Sequence, residues 1–488
     1  MTLGGGHADG PRRAREVLEA AGYRDKDIVE LLDAEELTAL GAKRLQPLLR
    51  RTSGGTPLET LVRLFILGVA EDAGAVARAV SPMSVSDWME LGLLAEDGGA
   101  VRATVQVRRY QDLVVAFDFN RPDANVPPDY VMGISPSSLS LAGLTVRRRV
   151  GAALDLGTGS GFQALLAAAH SQEVVATDRN PRAVEMATFN ARLNGLANVT
   201  VVEGDLFDPV AGRGFDLIVS NPPFIISPDS EHLFLYSGHG GDEGCRRIVA
   251  EAPYFLAEGG LCQLLANWAL RKGEDWVERP RQWAEGTGCD VWVLRRATHR
   301  ADEYAATWIE RDDRSADGYA RAFAEWMDYY DREGIECIVS GVISMRRRPT
   351  GAPWFWADDA PASMSFPCGD DVAAGFDRRD VLAELADDRA LLAARLKLSD
   401  DVRLHQQLRP GDGAWEVVSA EVRRSNGLEY AGSIDSDGAR LLAGCDGRRP
   451  LGDLVAELAA SVGADAAEVT PAAVGIVRRL IAQGFLGR

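Results

Sequence analysis

The chain has 488 residues, 46% apolar and 26% charged, the proportions of ordinary soluble domains, which excludes a disordered chain and a single small disulfide-stapled fold. Its 72 acidic against 53 basic side chains leave a formal charge of −19, so phosphate backbones are repelled at long range and no region offers a basic nucleic-acid platform. Six scattered cysteines, with no C-x-x-C and no histidine pair at ligand spacing, read as reduced core thiols and give no metal site.

The start, MTLGGGHADG, lacks the basic and apolar regions of a signal peptide, and no run of about 18 apolar residues occurs. A cytoplasmic protein without a membrane span is expected. Residues 11–80 follow helical periodicity through Val17, Leu18, Leu31, Leu32, Leu61 and Phe65. Ser84 then caps a further helix, Glu96-Asp97-Gly98-Gly99 makes a turn, and the alternating runs 101–107 and 113–119 pair as a β-hairpin. Residues 1–130 therefore read as a mainly helical, winged-helix-like domain with a structural or substrate-selecting role.

From residue 131 short apolar strands alternate with helices, the pattern of an α/β sheet. Seven strands fit at 152–156, 173–177, 199–203, 215–220, 260–267, 291–294 and 336–345, with helices at 162–169, 181–194, 242–256, 276–285 and 316–330. The last two strands close the sheet as an antiparallel edge. This domain is expected over 131–350. A Pro- and Gly-containing linker with Trp354, Phe355 and Trp356 follows over 351–379, then a C-terminal winged-helix-like α+β domain over 380–488 that ends in helices at 438–445, 450–459 and 472–483.

Four motifs fall at consecutive strand ends. The first strand runs into Gly157, Gly159 and Gly161 (LDLGTGSGF), a turn that lets backbone approach a ligand closely; its third glycine sits one residue earlier than in G-x-G-x-x-G. Asp178 ends the second strand, where a carboxylate accepts both hydroxyls of a ribose; capping of the next helix is its structural alternative. After the third strand, Asp205 is placed to accept from an adenine amino group and Leu206 to cover the ring. The fourth strand enters Asn221-Pro222-Pro223-Phe224, in which the Asn221 amide oxygen and Pro222 carbonyl form two rigid acceptors for a planar NH₂ group and Phe224 stacks on it.

This order of motifs resembles the class I S-adenosylmethionine-dependent methyltransferases, in the branch that methylates amino nitrogens. Gly240-Gly241-Asp242-Glu243-Gly244 with Arg246, Arg247 and Ile248 is similar to a segment of the protein-glutamine N-methyltransferases of release factors, although their proline-rich segment before the first strand is replaced by MGISPSS and NPPY by NPPF. The resemblance implies a seven-stranded Rossmann-like sheet with S-adenosylmethionine held by Asp155, Gly157, Thr158, Gly159, Gly161, Phe162, Asp178, Arg179, Asp205, Leu206 and Asn221. It implies catalysis at Asn221, Pro222, Pro223 and Phe224, no metal, and a protein amide as acceptor. An exocyclic amine of adenine or guanine in RNA or DNA is the rival acceptor, and a non-catalytic cofactor-binding scaffold the rival class. His232 and His239 read as loop histidines rather than bases, and Trp268 as a core, rim or pocket residue. The Arg147–Arg149 and Arg346–Arg348 runs read as solvated flanks that would grip phosphate if the substrate were RNA.

Overall fold

The computed structural model describes residues 3–5, 7–33, 45–119, 127–228, 241–310, 316–348 and 350–488. It divides into two compact units, one of residues 1–142 and 149–358, the other of 143–148 and 359–488.

The first unit is built on an eight-stranded sheet: β1 (Val150–Leu156), β2 (Ser171–Asp178), β3 (Val199–Glu203), β4 (Phe215–Ser220), β5 (Leu256–Arg271), β6 (Cys289–Arg300), β7 (Ile335–Arg347) and β8 (Phe355–Asp359), in the order β3-β2-β1-β4-β5-β7-β6-β8. β1 to β5 pair in parallel. β7 runs antiparallel to both β5 and β6, the closure expected from the sequence. The seven expected strands are all present, and β5, β6 and β7 are longer than expected. β8 is an addition: it comes from the segment read as a linker, where Trp354 carbonyl accepts from the Val291 amide.

Between residues 131 and 350 two helices were not legible in the sequence. Pro136–Leu144 lies where MGISPSS gave no periodic signal, and Ala301–Ile309 precedes the helix expected over 316–330, which runs Ala316–Glu333. Beyond them the helix Gly369–Glu384 begins inside the segment read as a linker, and Asp388–Ala393 follows it. The serine-rich start of Pro136–Leu144 is its cap: Ser135 Oγ accepts from the Ser138 amide (3.2 Å), and Ser138 Oγ from the Ser135 amide (2.7 Å).

The N-terminal part is mainly helical up to Val85–Glu90, with one short strand, Glu71–Asp72, that pairs with Ala100–Ala103, and its strand pairing differs from expectation. The Gly98-Gly99 turn itself closes a hairpin, Leu94–Asp97 with Ala100–Ala103, and a second hairpin follows, Gln106–Tyr110 with Leu113–Phe117. The single alternating run 101–107 thus serves two hairpins, because Thr104 breaks away to donate its amide to the Leu93 carbonyl. Leu18, Phe65 and Trp88 share one core with Met186, Phe189 and Leu193 of the helix Pro181–Leu193.

Backbone left unpaired by the second hairpin is satisfied by that helix. Asn190, fully buried, accepts from the Ala116 amide (2.8 Å) and donates to the carbonyls of Ala116 and Ser160 (2.8 Å each). One turn later Asn194 exchanges the same pair of bonds with Val114. Buried amides in place of water keep these backbone groups from going unsatisfied, and through Ser160 they tie the hairpin to the glycine turn.

In the second unit the helices Ser436–Gly444, Leu451–Val462 and Ala466–Ala482 occur as the sequence implied, with a short pair, Lys397–Leu398 and Leu486–Gly487. A three-stranded sheet, Val402–Pro410, Trp415–Arg424 and Ala431–Ser433, makes this unit α+β. Asp371 anchors it: its carboxylate takes ion pairs from Arg378 and Arg424 and the Leu428 amide. Gly369 is required where it stands, since a Cβ there would lie 2.0 Å from the Thr145 carbonyl oxygen. Among the described residues no helix is long and apolar enough to cross a membrane.

Candidate active site

Parallel strands expose their carboxyl ends to one side, and a crevice opens where the strand order reverses. Here that point lies between β1 and β4, and a cavity of about 390 Å³ sits at it. Every proposed site residue, Asp155, Gly157, Thr158, Gly159, Phe162, Asp178, Arg179, Asp205, Leu206, Asn221, Pro222, Pro223 and Phe224, lines this cavity except Gly161.

The three glycines have different reasons to be glycine. Their φ angles are +66° (Gly157), +56° (Gly159) and +86° (Gly161), all in the left-handed region that side chains disfavour. A Cβ on Gly157 or Gly159 would meet nothing within 4 Å, so those positions face open space in the cavity wall. A Cβ on Gly161 would come within 3.1 Å of the Ala187 Cβ; this glycine is for packing the turn on the helix Pro181–Leu193 rather than for ligand contact.

Asp155 holds the turn. It is 1% exposed, and its Oδ2 accepts from Thr158 Oγ1 (2.6 Å) and the Ala164 amide (2.9 Å). Burial pushes its carboxyl up to about 7, against the two hydrogen bonds that favour the charged form.

Asp178 is fixed from both sides: Oδ2 accepts from the Gly159 amide and Oδ1 from the Asn180 amide, each at 2.9 Å. Burial dominates over these bonds and raises its carboxyl above the ordinary range. Helix capping, the alternative considered for Asp178, belongs to Asn180, whose Oδ1 accepts from the Arg182 amide. A carboxylate has more acceptor sites than these backbone amides use, so Asp178 keeps the capacity to accept from a ribose hydroxyl.

After β3, Leu206 adopts φ +43°, and the Thr177 hydroxyl holds it through the Leu206 carbonyl (3.0 Å). Asp205 is not idle: Arg247 Nη1 lies 3.1 Å from its Oδ2. Arg247 and Ile248 also line the cavity, so the helix Glu243–Glu251 contributes to the site, a role the sequence left unassigned. Asp242 of the same segment is structural, accepting from the Ala269 amide and from Arg279.

Asn221 carries the most pointed feature. Its Nδ2 faces Ser137 Oγ at 3.5 Å, while its Oδ1 is buried with no hydrogen-bond partner among the described residues. An orphaned buried acceptor in a cavity wall is costly unless a ligand donor meets it. Pro222 is buried beside it, and Phe224 packs on the border of two cores. Open glycine turn, hydroxyl-accepting carboxylate and unpartnered amide oxygen together fit S-adenosylmethionine and an N–H donor beside it.

The surroundings of Trp268 and of the arginine runs decide their roles. Trp268 is fully buried, donates to the Trp276 carbonyl (2.9 Å) and does not line the cavity; it is a core residue. Two of the three arginines in the run Arg346–Arg348 are not solvated: Arg346 and Arg348 pair with the fully buried Asp290, while Arg347 stays exposed and donates to the Leu256 carbonyl. Arg148 pairs with Asp377. Arg148 and Arg149 are exposed, as expected of a solvated flank, while the phosphate grip considered for an RNA substrate loses Arg346 and Arg348. Conversely, Trp308 lines the cavity from a helix that was not anticipated. His232 and His239 lie outside the described residues.

Comparison with known proteins agrees with this geometry. Residues 136–276 match the family model of the methyltransferase small domain, while residues 20–104 and 373–488 match two domains of unknown function. Over 127 residues the chain is 39% identical to a release factor glutamine methyltransferase of Xylella fastidiosa, covering 23% of this chain and 46% of that one. It is 44% identical over 119 residues to that of Deinococcus radiodurans (22% and 42% covered) and 34% over 128 residues to that of Escherichia coli (24% and 46%). The chain thus spans about half the length of the curated relatives it matches. Most of the residues that line the cavity lie in the segment that matches the methyltransferase small domain, and that segment is similar to release factor glutamine methyltransferases.

Proposed function

We propose that this protein is an S-adenosylmethionine-dependent N-methyltransferase whose acceptor is the side-chain amide of a glutamine in a protein. The observation that carries the reading is the buried Asn221 Oδ1 at the cavity wall, which has no hydrogen-bond partner among the described residues, supported by the similarity to glutamine methyltransferases over the same region.

When bound, S-adenosylmethionine supplies an electrophilic methyl group on a sulfonium. The Gly157–Gly161 turn, Asp178 and Leu206 provide its seat. An amide nitrogen is a poor nucleophile because its lone pair is delocalised into the carbonyl. Asn221 Oδ1 and the Pro222 carbonyl accept one N–H each, which favours pyramidal nitrogen and turns the lone pair into the cavity. Phe224 supports the flat amide. Both acceptors are neutral, so the proton leaves for solvent once methylation has made the nitrogen acidic. Orientation and preorganised dipoles, rather than a strong base, supply the rate.

Substitution of Asn221 by Ala is expected to lower kcat about 10²-fold while leaving S-adenosylmethionine affinity by calorimetry within about threefold. Turnover within a few-fold of wild type removes the orienting role from Asn221.

A further inference from the structure

We propose that Trp308 is the acceptor-side wall of the cavity and selects a side-chain carboxamide by stacking on its flat face. This rests on the reading of the site as an amide methyltransferase.

Trp308 lines the same cavity as Pro223, Phe224 and Ile225. It arrives there on the helix Ala301–Ile309, which no motif announces. Ala301, Tyr304, Ala305 and Ile309 form its buried face and share a core with Ile225 and Ile226, the residues directly after Phe224. Phe224 and Trp308 are both partly buried at the border of that core. The helix cannot rotate freely, because the Tyr304 hydroxyl accepts from Asn267 Nδ2 at the end of β5 (2.9 Å) and the Tyr304 and Trp308 rings pack with centroids 6.1 Å apart.

The cavity that holds the orphaned Asn221 oxygen is therefore lined by Phe224 and by Trp308, two aromatic residues from separate elements that border one core. An indole is a broad platform for a planar group and for the aliphatic stem that carries it. A neutral carboxamide on an alkyl stem uses both. Phe224 sits in the orienting motif itself; Trp308 touches only the acceptor and so sets affinity and choice.

The test uses the full chain, labelled S-adenosylmethionine and N-acetylglutamine methylamide as the acceptor probe, comparing Trp308→Phe and Trp308→Leu. Phe keeps a planar ring and is expected to hold the probe's KM within about threefold; Leu keeps apolar volume without a face and is expected to raise KM about tenfold. In both, kcat stays within about twofold and calorimetric cofactor affinity is unchanged, which also reports folding. Titrating the probe into cofactor-saturated wild type is expected to change tryptophan fluorescence, and the change is lost in Trp308→Phe although nine of the ten tryptophans remain. Equal KM values for wild type and Trp308→Leu, a fluorescence change that survives in Trp308→Phe, or no saturable binding of the probe would each overturn the assignment. Failure of wild type to bind S-adenosylmethionine would instead overturn the reading on which it rests.

Discussion

Replacing Asn190 by Ala tests how the second hairpin is held to the glycine turn. The side chain is fully buried and makes three hydrogen bonds at 2.8 Å, to the Ala116 amide, the Ala116 carbonyl and the Ser160 carbonyl. Truncation strands one backbone donor and two acceptors. At roughly 1–3 kcal/mol for each of the three buried groups left unsatisfied, the loss is about 3–9 kcal/mol, above the ordinary cost of a point substitution. Ser160 belongs to the turn and Ala116 to the strand Leu113–Phe117, so the damage reaches the cavity as well. Hydrogen exchange should show the Ala116 amide losing protection, with a urea midpoint well below that of wild type and weaker S-adenosylmethionine binding by calorimetry. A loss below about 1 kcal/mol with unchanged exchange at Ala116 would refute the claim that Asn190 replaces missing strand pairing.

The glycines should separate by role. Gly161→Ala forces a 3.1 Å approach to Ala187 at φ +86° and should cost stability by about 1–3 kcal/mol; Gly159→Ala, whose Cβ would enter open space, should cost about 1 kcal/mol and act chiefly by weakening cofactor binding, read by melting with and without S-adenosylmethionine. The buried Asp155 carboxyl, raised to about 7 from 3.8, binds its proton more tightly in the folded than in the unfolded chain. Its contribution to stability therefore grows as pH falls through 7 toward 4 and is lost as pH rises through 7, and Asp155→Asn should flatten that part of a urea-midpoint profile. Asp290→Ala leaves Arg346 and Arg348 facing a void, with an expected loss of about 3–5 kcal/mol in equilibrium unfolding.

Much of the site was legible because its chemistry is local in sequence. A glycine turn, a carboxylate at the next strand end, Gly204-Asp205 and Asn221-Pro222-Pro223-Phe224 each follow a strand whose apolar run is unmistakable, and parallel pairing brings successive strand ends together. What escaped was set by tertiary partners. Phe355–Asp359 reads as linker because Pro and Gly flank it, yet it finds β6 as a neighbour. Trp308 sits on a nine-residue helix whose buried face is plain only once Ile225 and Ile226 are seen against it. The Arg346–Arg348 run looks solvated until Asp290, 56 residues away from Arg346, is placed beside it. Gly161 resembles its neighbours in sequence, and only the position of Ala187 distinguishes it.

The central claim is methyl transfer to a protein amide. Extract from cells lacking this protein, incubated with the purified chain and S-adenosylmethionine labelled in the methyl group, should yield label that is lost to protease, resists nuclease and is released as methylamine on acid hydrolysis. Label lost only to nuclease, or no label in macromolecules at all, would contradict it.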